Sequence, residues 1–496
     1  MLGAGLVFGN APVALAECTI DGEVEAPPFT SLEGGDDLVC NDVELTGTIE
    51  AATVEEGDDS VTITLGDGMP DGEGASDTKV TSSEGVAISL DNDTKVIIYG
   101  DAELNALDTG VYATGDDNTV EVVGGTIESY GYGVVADGDD NTVELVSGTI
   151  EAAFNGVTGN GANFTVTVSG GTIDAEWVGI HTTGEDSIVT VSGGTIEAEQ
   201  EGVSSEGDNS TVTVSGGTIG SIYAGVYSVG DDSTVTVSDG AIEAEREGVH
   251  TSGDDSTVTV SGGRIESKYA GVYSVGDSAT VTVSGGTIDA EWGGVHTTGE
   301  DSIVKVSDGT IEAEREGVYT TGDNSTVTVS GGTIESKYAG VYSVGDSATV
   351  TVSGGTIDAL WGGVHTSGDN STVTVSGGTI EAEEEGVYTI GNNSTVTVSG
   401  GTIEAEQEGV YSEGDDSTVT VSGGTIEADD YGINIHGDRT TVTVSGGTVR
   451  TTEENGTAIY FEFTGEGSPE NWAGSLTIGT GATVEGNLLA ESGTFA

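Results

Sequence analysis

The chain has 496 residues, 86 Asp plus Glu against 10 Lys plus Arg, and a formal net charge of −76. That charge repels phosphate backbones and anionic lipid surfaces, which excludes nucleic-acid binding and attachment to acidic membranes. Only 34% of residues are hydrophobic and 84 are Gly against five Pro, a mix that fits neither a thick globular core nor a Pro-rich disordered chain but suits many short strands joined by tight turns.

Residues 1–16 (MLGAGLVFGNAPVALA) are small and apolar, and Ala14-Leu15-Ala16 fits the pattern of secretory cleavage before Glu17. The stretch falls short of the about 20 apolar residues that a membrane-spanning helix needs. It lacks the basic residues that usually open an export signal. The expectation is an exported protein, extracellular or at the cell surface, with no direct membrane insertion by this segment. Cys18 and Cys40 follow closely. In an exported chain they are a candidate disulfide that would staple the start of the fold. Two cysteines without a third or fourth ligand do not make a zinc site. Residues 17–90 carry an irregular pattern and read as an N-terminal cap with the first coils.

Residues 91–450 are a regular repeat. The phrase T-V-T-V-S-G-G-T-I recurs at one constant step of about 23 residues. Its first valine stands at Val166, Val189, Val212, Val235, Val258, Val281, Val304, Val327, Val350, Val373, Val396, Val419 and Val442. More divergent coils extend the register back to Val143 and Val120. A near-copy also recurs at three times that step, where Glu266-Ser-Lys-Tyr-Ala-Gly-Val-Tyr matches the run from Glu335. Fixed self-similarity of this kind marks a solenoid, which grows along one axis without enlarging its core.

One coil, Ser210 to Asp232, shows the expected geometry. Thr211-Val212-Thr213-Val214 alternates with period two, the mark of a half-buried strand. Ser215-Gly216-Gly217 reads as a turn, Thr218-Ile219 as a second strand and Gly225-Val226-Tyr227-Ser228 as a third. Gly230-Asp231-Asp232 closes the coil. The predicted fold is all-β: a single-stranded right-handed parallel β-helix (β-solenoid) with about 23 residues and three short strands per coil. Val212, Val214, Ile219 and Val226 point inward and stack with their repeats. Residues 451–496 read as irregular C-terminal coils.

Stacking turns every outward position into a column. Thr211, Thr213, Thr234, Thr236, Thr257 and Thr259 begin a flat Thr-x-Thr face, interrupted at Ile303 and Lys305 and preceded by a break at Ile188. Such a face is similar to those of ice-binding β-solenoids, although Thr is also simply a soluble strand former. Asp174, Glu197, Glu243, Glu266, Asp289 and their repeats form one acidic column, with Glu176, Glu199, Glu245 and Glu291 in a second. The columns read as a solvated face, with calcium bridging between coils as the alternative. The calcium-binding G-G-x-G-x-D repeat is absent, and no cofactor is otherwise implied. Tyr227, Tyr273 and Tyr319 share a third column with Tyr342, Tyr388, Tyr411, His181, His250, His296 and His365, read as ring stacking with carbohydrate docking as a further option. Trp177, Trp292 and Trp361 read as scattered along another column.

An enzyme is not expected. Lyases of this fold class need clustered basic residues, and hydrolases need one pair of carboxylates in unequal environments. Carboxylates that repeat coil after coil do not single out one active site. No catalytic or metal-ligating residue is assigned.

Together, the export segment, the early Cys18/Cys40 pair, the G-D-D-S-T-V-T-V-S-G-G-T-I coils and the tail from Gly474 resemble the passenger of a bacterial autotransporter. The resemblance implies display at the outer membrane and a role in adhesion, autoaggregation or biofilm. The implied partners are surface glycans or proteins of a host or neighbouring cell, or further copies of the chain. One departure stands out: no series of alternating strands of about ten residues, as in an outer-membrane barrel, closes the sequence. Either that barrel lies outside this sequence or the resemblance does not extend to the export route.

Overall fold

Val212 and Val214 are fully buried while Thr211 and Thr213 beside them stay half-exposed, so the period-two pattern of the sequence is the pleat of a strand. The computed structural model describes residues 17–20, 23–25, 37–41, 44–46, 49–50, 61–66, 78–83, 85–100, 102–462 and 474–491. The export segment 1–16 lies outside the described residues, as does much of the irregular stretch before residue 78. The described residues contain strands and turns and no helix. The chain falls into two units, Met1–Gly184 and Glu185–Ala496.

The first unit opens with a feature the repeat does not announce. Strand Glu17–Ile20 runs antiparallel to both Glu23–Glu25 and Asp37–Asn41, placing Cys18 directly opposite Cys40. Cys40 is disulfide-bonded, and among the described residues no cysteine is free. From Asp37–Asn41 onward pairing is parallel. One sheet steps through Val61–Leu65, Thr94–Tyr99, Thr119–Ser129 and Thr142–Ala152. A second steps through Ile88–Leu90, Thr109–Ala113, Tyr132–Ala136 and Val157–Gly159.

In the second unit each regular coil contributes one strand to each of two parallel sheets. Thr211–Ser221 pairs with Thr234–Ala244 and that with Thr257–Ser267, so Val212, Val235 and Val258 stand in one row. Ala224–Val229, Glu247–Ser252 and Ala270–Val275 build the second sheet. The three strand segments expected per coil are all present, but the first two are usually continuous. The Ser-Gly-Gly step that reads as a turn is a bulge inside one long strand, with register shifts on both sides of Ser215 and Gly217 at φ 72°. Only in coils such as Thr418–Val421 and Thr425–Ala428 are the two pieces separate.

Val212, Val214, Ile219 and Val226 are all fully buried. Four large side chains cannot stabilise a coil alone, so each coil depends on its neighbours to complete the core. The two sheets approach so closely that only glycine fits at one point. A Cβ on Gly248 would lie 2.1 Å from the Ile265 Cγ2 and 2.7 Å from the Gly271 carbonyl oxygen. Some interior hydroxyls pair along the stack: the Thr251 hydroxyl donates to Ser274 at 2.8 Å, and Thr320 to Ser343 at 2.7 Å, whereas the Thr297 and Thr366 hydroxyls in the same column have no partner in the protein. The closing turn makes a ladder of its own. Asp231 Oδ1 accepts the backbone N–H of Asp254 at 2.9 Å, and Asp254 Oδ1 accepts that of Asp277 at 2.9 Å. The next residue, Asp232, takes the left-handed conformation at φ 57°, which Asp and Asn tolerate better than most residues.

Candidate functional site

The Thr face is in register as read. Thr211, Thr234, Thr257 and Thr280 pair along one row and Thr213, Thr236, Thr259 and Thr282 along the next, all half-exposed. Ile303 and Lys305 continue those rows directly and interrupt them. The acidic column is equally continuous, Glu243 pairing with Glu266, Asp289, Glu312 and Glu335 in turn. Open grooves run between the two acidic columns. One, of about 350 Å³, has carboxylate walls at Glu381, Glu383, Glu404 and Glu406 and a floor of Ala359, Ala382 and Ala405. Among the described residues, no group of three or more His, Cys, Asp or Glu is arranged to hold a metal ion.

Several basic residues sit in or beside these columns. Arg264 spans coils, reaching Glu266 at 2.7 Å and Asp289 at 2.9 Å. Lys268 meets Glu245 at 2.8 Å, Lys337 meets Glu314, and Arg450 meets Glu427. These pairs are exposed and each contributes little alone, but each interrupts a run of like charges.

The Tyr/His column is a continuous ring ladder. Tyr227, His250, Tyr273 and His296 follow at centroid spacings of 5.0, 4.9 and 4.9 Å. Tyr319, Tyr342, His365, Tyr388 and Tyr411 continue it at 4.7, 5.3, 4.4, 4.5 and 4.8 Å. His296 and His365 are buried among these rings, and neither ring nitrogen of either has a hydrogen-bond partner in the protein. Burial lowers both pKa values to about 4, so the imidazoles are neutral at neutral pH.

Trp292 and Trp361 do not stand alone, because tyrosine and arginine fill the positions around them in their column. Arg246 lies over the Tyr223 ring at 4.8 Å. Tyr269 and Trp292 stack at 4.7 Å and 6°, and Arg315 covers Trp292 at 4.8 Å. Tyr338 and Trp361 stack at 4.5 Å and 7°. This second ladder touches the first, Trp292 meeting His296 at 5.5 Å and Trp361 meeting His365 at 5.2 Å. The sequence signal was there: the positions one coil apart from Tyr223 through Arg246, Tyr269, Trp292, Arg315 and Tyr338 to Trp361 are all aromatic or Arg. In the first unit, Trp177 packs instead against Phe154 at 5.5 Å.

Beside this ladder runs a column of sequestered carboxyls. Glu247 and Glu316 are 3% exposed, each 3.3 Å from the arginine before it. Burial raises both pKa values, and Arg246 and Arg315 partly oppose the rise. Glu385 and Glu408 are adjacent in the stack and half-buried. Burial, then the charges of Glu408 and Glu384, push the Glu385 carboxyl up to about 7.

Two sheets of parallel strands, inward Val and Ile rows and one turn of chain per coil repeat define a right-handed parallel β-helix repeat protein. Sequence comparison agrees: the family model described as "Right handed beta helix region" matches residues 232–380 and 293–449. No curated protein and no solved structure is a match to the chain.

Proposed function

We propose that this β-helix is an exported, surface-displayed protein of the passenger type that acts in adhesion or self-association. The observation that supports the reading best is the recurrence of the same half-exposed ring edges and carboxylates in coil after coil. A linear array of equivalent contacts suits a repeating partner, such as a glycan chain or another copy, because weak contacts multiply when many engage together. The ring faces are largely spent on each other, so a partner meets edges, hydroxyls and the acidic groups beside them. A polysaccharide-active enzyme would need one acid and one base set apart in a cleft. The grooves here are walled by repeated columns instead.

The test is display on a non-adherent bacterium. Displaying cells should clump or be retained on a glycan surface, and Tyr319→Ala with Tyr342→Ala should reduce retention while the fold persists. Cells that neither clump nor adhere would sink the reading. The in-register Thr rows, unbroken from Thr326 and Thr328 to Thr441 and Thr443, support a second reading as an ice-binding face. Dilute protein that reshapes growing ice crystals, and loses the effect on Thr372→Tyr with Thr374→Tyr, would put that reading first. Ordinary ice growth is the expected result.

A further inference from the structure

The longer near-repeat places equivalent residues at every third coil, and three such places differ in one respect. In the first, Arg246 lies over Tyr223 and 3.3 Å from Glu247. In the second, Arg315 lies over Trp292 and 3.3 Å from Glu316. The third keeps the ring as Trp361 and the carboxyl as Glu385, but Glu384 stands where the arginine was. The backbone there is unchanged: the Arg315 N–H donates to the Trp292 carbonyl at 3.0 Å and the Glu384 N–H to the Trp361 carbonyl at 3.2 Å.

Two neighbours change in the same direction. Tyr338, which approaches Arg315 from the far side at 5.9 Å, is replaced by Gln407, and Ala339 by Glu408. The corner has lost its cation and one aromatic cover and gained two carboxyls. Glu385 is more open than Glu247 or Glu316; its Oε2 is buried without a hydrogen-bond partner, as is that of Glu316, but where Glu316 meets Arg315 through Oε1, no ion pair to Glu385 is found among the described residues. One face of Trp361 is stacked on Tyr338. The opposite side, where Arg315 sits in the second copy, faces Glu384 and the Tyr388 ring, T-shaped at 6.3 Å.

We propose that the corner formed by Trp361, Glu384, Glu385 and Glu408 binds a guanidinium group supplied by a partner, an arginine side chain of a peptide or protein. The chain shows the occupant twice in its own equivalent corners. A guanidinium is flat, weakly hydrated and permanently charged, so it stacks on an indole while its N–H groups reach carboxylates at the rim. The long-range field of a chain with net charge −76 draws such a partner in. The site stands independently of surface display, since it rests on the comparison of three corners within one chain.

The experiment titrates the full-length protein with acetyl-arginine-amide, following the tryptophan indole N–H signals by NMR, with acetyl-citrulline-amide as the neutral isostere. Saturable binding of the arginine compound is expected, with a dissociation constant on the order of 1 mM or tighter, and none of citrulline. Trp361→Leu should weaken binding about tenfold. Glu384→Arg should abolish it and raise the melting temperature by restoring the internal cation. Arg315→Glu should create a second site, doubling the stoichiometry. This gain guards against a Glu384→Arg chain that simply misfolds. Absence of saturable binding, equal binding of citrulline, binding unchanged in Glu384→Arg, or one site in Arg315→Glu would each overturn the proposal.

Discussion

Ile265→Ala is the sharpest test of how the stack is held. Ile265 is fully buried, in register between Ile242 and Ile288, and its Cγ2 presses against the glycine wall of the opposite sheet at Gly248. Removing the γ and δ carbons loses about 2 to 3 kcal/mol of transfer free energy. The void cannot close by collapse, because both neighbouring coils are fixed by ladder hydrogen bonds and Gly248 has no side chain to move in. The cavity term therefore applies nearly in full, for a total of about 4 kcal/mol. In a solenoid the damage is nearest-neighbour in range. Hydrogen exchange should accelerate in Glu247–Ser252 and Ala270–Val275 and stay unchanged in distant coils, while urea unfolding of the whole chain registers a smaller loss. Thr259→Ala, at a half-exposed position in the same coil, should cost less than about 1 kcal/mol. Equal effects of the two substitutions, or acceleration spread evenly along the chain, would refute this reasoning.

Further outcomes follow from charge and covalent structure. Adjacent carboxylates in the acidic columns are about 4.8 Å apart, so the melting temperature should rise between about 0.1 and about 1 M salt as the screening length falls from about 10 to about 3 Å; a flat response would mean their repulsion is negligible. Glu385 binds a proton more tightly in the folded chain, with its pKa raised from 4.5 to about 7, so its contribution to stability is present in acid and lost as pH rises through about 7, and Glu385→Gln should remove that loss. His296 and His365 act oppositely. Their pKa values fall from 6.5 to about 4, so stability drops as pH falls below 6.5, and His296→Phe with His365→Phe should flatten melting curves between pH 6.5 and about 4. Mass analysis of unreduced protein should find Cys18 and Cys40 blocked within one molecule, and their joint replacement by Ser should cost about 3 kcal/mol in the first unit.

The fold was legible because the core is written in one period. Val212, Val214, Ile219 and Val226 recur at fixed spacing, and pleat geometry alone sends them inward. The bulge at Ser215–Gly217 reads as a turn in the sequence because Ser-Gly-Gly has the same local chemistry in both; only the pairing of Ser215 with Asp239 in the next coil keeps the strand running. The antiparallel start, Glu17–Ile20 against Asp37–Asn41, was hidden because it belongs to no repeat. The Tyr/His ladder was visible in the sequence, whereas the second ladder was missed by following tryptophan as a residue type rather than following its column. As single charges Arg246 and Arg315 carry no signal in the sequence; their role shows once Tyr223 and Trp292, one coil earlier, lie against them. The opened corner at Glu384 was beyond sequence reading for the same reason: a missing cation has meaning only once its counterparts are known to sit on rings.

The turn ladder carries a direction. Each carboxylate accepts the backbone N–H of the coil that follows it, as Asp231 does for Asp254 and Asp346 for Asp369. Ribosomes deliver the earlier coil first. The leading part of an incomplete polypeptide thus carries these side-chain acceptors already set, beside backbone donors such as the Asp232 N–H, which the carbonyl of Asp254 in the next coil will meet. Assembly by accretion, one winding at a time behind the exit, needs no distant segment to arrive before it can proceed, and a gene that gains or drops the codons of one winding alters the length of that process without altering its rule.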